Sequence, residues 1–269
     1  MFEALLEYRF LQHALLACLL ASVVCGFIGV AIVEKKLVMM SGGIAHTAYG
    51  GVGLGYLLGF EPILGAAAFA LLAAFAIGTV RRGGHVHTDV IIALFWSLGM
   101  ALGIAFIGFA PGYPPDMSTY LFGNILTVTR LDLQIMAGFT AIVAALVIIL
   151  FNDWKAYLFD GQFSAILGLR TTLLEYLLLA LIALTVVVLI RVAGIILVIA
   201  LLTAPAATAA LFTTRLETRM ALAIAFGCLF CLCGLWLSYT INIASGATII
   251  MLSSAVYGLA YLARRHHIE

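Results

Sequence analysis

Nine apolar stretches govern what this chain can become. They fall near 11–33, 37–59, 63–80, 90–110, 132–151, 172–190, 192–213, 219–240 and 243–262. A helix needs about 20 apolar residues to cross a hydrocarbon core of roughly 30 Å. Strands of a membrane barrel would instead alternate apolar and polar residues in segments of about ten, and these runs do not alternate. The expectation is an all-α, polytopic integral membrane protein with eight or nine transmembrane helices, the run 37–59 being the weakest because glycine interrupts it. Charge supports this. Only 9% of the residues are charged, against about 25% in soluble domains, which is too few to clothe a water-facing surface. The first run is longer than a signal peptide and "MFEALLEYRF" has no basic start, so it is expected to stay in the membrane.

Lys and Arg favour cytoplasmic loops. With the N-terminus outside and nine spans following, every Lys and Arg falls inside except Arg9, Arg130 and Arg191. That bias predicts a cytoplasmic C-terminus. Net charge of +1 and the lack of a basic run give no sign of a nucleic-acid partner.

No linker, low-complexity tract or internal repeat is visible, so residues 1–269 read as a single transmembrane domain. Two loops stand out. The outer one, "APGYPPDMSTYLFGNILTVTRLD", carries an apolar "YLFGNIL" too short to span. It suits a short helix or re-entrant segment, allowed only where protein or water satisfies the backbone. The inner loop, about 152–171, places Phe159, Phe163, Ile166 and Leu167 at helical spacing. A short amphipathic helix there rests either on a partner protein or on the lipid surface.

Several chemistries are excluded by missing motifs. There is no G-x-x-x-x-G-K-[ST], so no P-loop for ATP, and no H-E-x-x-H or G-x-S-x-G. No acid lies near a span centre, which argues against a proton relay. Only His46 sits deep in an apolar run. Imidazole suits borderline cations, and on a helix Gly42, Tyr49, Gly50 and Gly53 share its face. His46 is thus either a cation contact or a histidine in a helix–helix seam; alone it cannot enclose a metal, since zinc sites generally take three or four ligands.

Other polar residues are weaker candidates. "HVHTD" holds His85, His87 and Asp89, and reads as an inner loop or a low-affinity exit site. Pro205, with Thr203 and Thr208 near, is expected to kink a span whose freed backbone groups the threonines re-satisfy. Tyr239 and Asn242 suit an outer vestibule. The cysteines, including "CLFCLC", lie in apolar runs and read as small packing residues.

Taken in order, the stretches from "FLQHALLACLLASVVCGFIGVAIVEKKLVMMSGGIAHTAYGGVGLG" through "FDGQFSAILGL", "VAGIILVIALLTAPAATAALF" and "SYTINIASGATIIML" resemble the metal-ion permeases of ABC importers of the zinc, manganese and iron type. The resemblance covers almost the whole chain. It implies an ABC importer permease fold, a homodimer in a prokaryotic cytoplasmic membrane, cytosolic ATPase subunits that carry the ATP, and an extracytoplasmic binding protein that delivers metal. It implies no tightly bound cofactor; the divalent ion is cargo. Phe159, Ala165 and Gly168 then belong to a cytosolic coupling helix seated in the ATPase.

The family pattern around the histidine reads roughly G-D-A-I-S-H-A. This chain has "SGGIAHT", with His46 kept, Gly42 at the acid position and Ala45 at the serine position. Loss of the acid tilts the cargo from hard Mn²⁺ toward zinc. The resulting expectation is a non-enzymatic permease subunit that imports a divalent metal by alternating access. His46 would be a transient metal contact, with Tyr49, Thr203, Pro205 and Thr208 along the route. The rival readings are a permease for a metal chelate and, from another class, an intramembrane metalloenzyme built on His46, His85 and His87.

Overall fold

The computed structural model describes residues 8–83, 88–111, 117–123, 125–241 and 243–265, and every regular element among them is helical. In hydrocarbon a helix satisfies its backbone N–H and C=O groups within its own segment, which is why the apolar runs take this form. Seven helices among the described residues are long and apolar enough to cross a membrane. They are α1 (Arg9–Glu34), α3 (Pro62–Gly83), α4 (Thr88–Phe109), α6 (Arg130–Ile149), α9 (Thr171–Phe212), α10 (Leu216–Ile241) and α11 (Ser245–Arg265). Between them lie α2 (Val38–Leu58), α5 (Met117–Phe122), α7 (Phe151–Phe159), α8 (Gly161–Ile166) and a 3₁₀ turn at Ile125–Thr127.

Two features reconcile seven helices with nine apolar runs. The run at 37–59 does form a helix, α2, but glycine and polar residues leave it outside the seven. It is largely buried by protein rather than facing lipid. The runs 172–190 and 192–213 join as the 42-residue α9, broken at Gly194 (φ 72°, ψ 161°). At 1.5 Å per residue that length is about 63 Å, near twice the hydrocarbon core, so each side of Gly194 is of spanning length. Within α9 the residue with non-helical φ and ψ is Gly194, and Pro205 sits inside the helix.

The described chain divides into two compact units. The first holds the residues up to Lys35, Ser118–Leu158 and those from Val188 onward. Here α1 packs against α10, α6 and the 3₁₀ turn, and α10 packs on α11. "YLFGNIL" forms no span. It becomes α5 and the turn, with Ile125 and Val128 buried and the Nδ1 of His13 in contact with the Val128 carbonyl at 3.1 Å. Thr129 caps α6 in a reciprocal box with Asp132, and Asp132 also meets Arg191 at 3.5 Å. At other helix ends Arg219 pairs with Glu34, Lys155 with Glu217 at 2.7 Å, and Lys35 lies 4.0 Å over the Tyr157 ring.

The second unit holds Lys36–Met117 and Phe159–Val187. Its centre is α2, which packs on α3 and α4. Arg82 and Glu175 pair at 3.3 Å near its surface.

Candidate functional site

Glycine sets how closely α2 approaches its neighbours. A Cβ on Gly50 would stand 2.9 Å from the Gly99 carbonyl oxygen of α4, and one on Gly53 would stand 2.6 Å from that of Gly103. Gly51 meets Gly65 of α3 backbone to backbone. Between membrane helices, where lipid competes equally for apolar surface, such small-residue contacts supply the packing. Thr47 adds a polar tie. Its hydroxyl donates to the Gly43 carbonyl at 2.7 Å and across to the Phe95 carbonyl of α4 at 2.9 Å.

This seam places His46. Its imidazole stacks on the indole of Trp96 from α4, with ring centroids 4.1 Å apart and planes 14° from parallel. The ring is half-buried; its Nδ1 is enclosed and has no hydrogen-bond partner among the described residues. That leaves Nε2 as the nitrogen a cation can reach. No group of three or more His, Cys, Asp or Glu capable of holding a metal occurs among the described residues. A single reachable nitrogen offers a cation one ligand, against the three or four that a zinc site generally takes.

The other expected residues of this face are in the seam. Gly50 and Gly53 are covered by α4, and Tyr49 is fully buried with its ring against Gly103. Beside Thr47 a crevice of about 170 Å³ opens between α3 and α4, lined by apolar side chains such as Phe69, Leu72 and Phe95. Its chemistry is unsuited to an ion.

In the first unit, Thr203 and Thr208 behave differently from expectation. Pro205 has no N–H to give the Leu201 carbonyl, four residues back. Thr203 donates to Ile199 at 2.8 Å and Thr208 to Ala204 at 2.7 Å, so neither replaces that donor. Thr208 and Pro205 are buried, and Thr203 is half-buried.

The inner loop forms two helices where one was expected. Asp160 separates α7 from α8 and caps the latter, its carboxylate accepting from the Gln162 and Phe163 amides at 3.0 Å each. Phe159 is 91% exposed, Ile166 82% and Leu167 65%, and Ala165 and Gly168 are exposed beside them. Gly168 takes φ +85°, the left-handed value that ends α8. α8 is thus a short capped helix that offers apolar side chains outward.

His85, His87 and Asn242 lie outside the described residues. Trp96 went unread in the sequence because a tryptophan in an apolar run carries no positional signal. The Thr129–Asp132 cap also went unread, although T-x-x-D before an apolar run is the signal for it.

Over residues 7–264 the chain matches the ABC 3 transport family. It is 44% identical to an uncharacterized membrane protein of Synechocystis sp., over 97% of this chain and 92% of the relative. It is 34% identical to the manganese transport system membrane protein MntC of Halalkalibacterium halodurans, over 97% and 89% of the two chains. Among solved structures, PsaBC from Streptococcus pneumoniae in complex with Fab has a chain that superposes with a TM-score of 0.87 at 32% identity, covering 97% of this chain and 94% of that one. A family match and a shared backbone that both extend over nearly all of the spans leave one assignment: the chain belongs to the ABC 3 transport family.

Proposed function

We propose that this chain is the membrane-spanning subunit of an ATP-driven importer of divalent metal ions, with manganese as the principal cargo. The observation that carries the reading is the similarity, along almost the full length, to proteins named as manganese transport membrane proteins. That similarity outweighs the tilt toward zinc drawn from Gly42, because one missing carboxylate weakens a site for every hard cation without building a softer one. ATP is hydrolysed on separate cytosolic subunits, since the chain has no P-loop. A soluble protein outside delivers the ion, and two copies of the chain form the permease in a prokaryotic cytoplasmic membrane.

In this reading His46 touches the ion transiently through Nε2, and Tyr49 supports the helix seam behind it. Phe159, Ala165 and Gly168, with the exposed apolar residues of α8, seat in the ATPase and pass its motion to the spans. In the first unit, the segment of Thr203, Pro205 and Thr208 supplies a helix whose missing backbone bond eases bending as access alternates.

The test is uptake of labelled Mn²⁺, Zn²⁺ and Fe²⁺ into vesicles holding the complete complex, with and without ATP. ATP-dependent Mn²⁺ uptake that fails in His46→Ala supports the assignment. Hydrolysis of ATP by the purified permease alone, or metal uptake independent of ATP, contradicts it.

A further inference from the structure

A histidine that serves a cation usually has its second ring nitrogen bonded to a carboxylate, carbonyl or water, which fixes the ring and raises its basicity. His46 has no such partner among the described residues: Nδ1 is enclosed and unbonded. Something else must hold the imidazole, and the contact available is the stacked indole 4.1 Å away.

The place of that indole is itself fixed. One turn before it, Ile92 packs against Gly43; three residues after it, Gly99 packs against Thr47. Between them the Thr47 hydroxyl grips the Phe95 carbonyl at 2.9 Å. Trp96 is therefore clamped from both sides along α4 and cannot slide past His46. The near-parallel planes, 14° apart, restrict the imidazole's tilt while leaving the Nε2 edge unobstructed by the stack. The face of an indole is negative, so it attracts an imidazole more strongly once that ring carries positive charge from a bound cation.

We propose that Trp96 is a positioning residue for the cargo cation: its indole face orients the His46 imidazole and strengthens the hold on a divalent ion at Nε2. The inference rests on the reading of His46 as a cargo contact. Stacking of this kind corresponds to about a three- to tenfold change in affinity.

The test uses the permease–ATPase complex in lipid nanodiscs, carrying Trp154→Phe and Trp236→Phe so that Trp96 is the remaining tryptophan of this chain's three; the same complex with Trp96→Phe added is the blank whose emission is subtracted. The probe is Mn²⁺, a paramagnetic ion that quenches an indole near contact. Saturable quenching of Trp96 emission, lost in His46→Ala, is expected. Uptake in vesicles of the full complex should persist in Trp96→Phe, fall about three- to tenfold in Trp96→Leu, and fall no further when Trp96→Leu is added to His46→Ala. Quenching that never saturates, or that survives His46→Ala, overturns the proposal. Should Trp96→Leu fail to assemble, the quenching and Trp96→Phe results decide alone. If His46→Ala transports normally, the reading of His46 falls and this inference with it. If His46→Ala fails while Trp96→Leu transports like the parent, only the role of Trp96 is refuted.

Discussion

Gly123 and Gly194 meet backbone to backbone, each in the left-handed region, with φ of 69° and 72°. Gly123 follows α5 and Gly194 breaks α9, so the contact ties the end of that short helix to the interruption of the longest one. A Cβ on Gly194 would stand 2.8 Å from the Gly123 Cα, and φ 72° with ψ 161° is a conformation essentially restricted to glycine, costing an L-residue roughly 1–3 kcal/mol. Gly194→Ala should therefore destabilise the folded chain by about 3 kcal/mol once overpacking is added. Gly138→Ala is the control: Gly138 lies in α6 with nothing near its missing Cβ, and there alanine should help the helix by up to about 1 kcal/mol. Thermal unfolding in detergent of the two variants beside the parent distinguishes them.

Thr47 joins α2 to α4 through the Phe95 carbonyl at 2.9 Å. A side-chain bond between membrane helices contributes about 0.6 kcal/mol on average and up to about 2. Thr47→Val keeps the shape and removes the bond, so its midpoint should fall modestly, while Thr47→Ser should stay near the parent. A drop in Thr47→Ser with none in Thr47→Val would assign the contribution to the methyl and not to the hydrogen bond.

The exposed apolar residues of α8 lead to a different kind of outcome. Ile166 is 82% exposed, so Ile166→Asp should leave the unfolding midpoint of the isolated permease unchanged. If α8 seats in the ATPase, the same change should abolish co-purification of the ATPase and ATP-driven uptake together, because a carboxylate cannot enter an apolar seat without losing its water. Retained co-purification would assign α8 to the lipid surface instead.

These residues also show what a sequence can and cannot reveal here. Spans were legible because the bilayer demands about 20 apolar residues wherever it is crossed, and each of the nine runs lies on a helix. His46 was legible because a lone imidazole in an apolar run is conspicuous. Trp96 was not, because its role depends on which turn of α4 faces α2, and that register is set by contacts such as Gly53 with Gly103, some 50 residues apart. The two apolar runs that meet at 190–192 located the break in α9 to within a few residues. That Gly194 takes it depends on Gly123, far away in sequence, whose backbone meets it there.

Arg219 supplies the last prediction. Its guanidinium pairs with Glu34 and donates to the Thr213 carbonyl at 3.3 and 3.2 Å, joining the end of α1, the loop before α10 and the first turns of α10. The side chain is only 12% exposed. Removing it leaves a partly exposed carboxylate without its partner and takes two donors from the Thr213 carbonyl at once. Arg219→Met should destabilise by about 2 kcal/mol, the scale of hydrogen bonds to charged groups. Glu34→Gln should fall between Arg219→Met and the parent, because the amide still accepts from the guanidinium and the Thr213 bonds persist. Lys155→Met breaks a pair whose side chains are 55% and 50% exposed, where water already solvates both partners, so its midpoint should barely move. Urea or thermal midpoints for the three variants test the ordering. Arg219→Met no weaker than Lys155→Met would mean that the guanidinium only decorates the surface and that apolar packing alone joins α1 to α10.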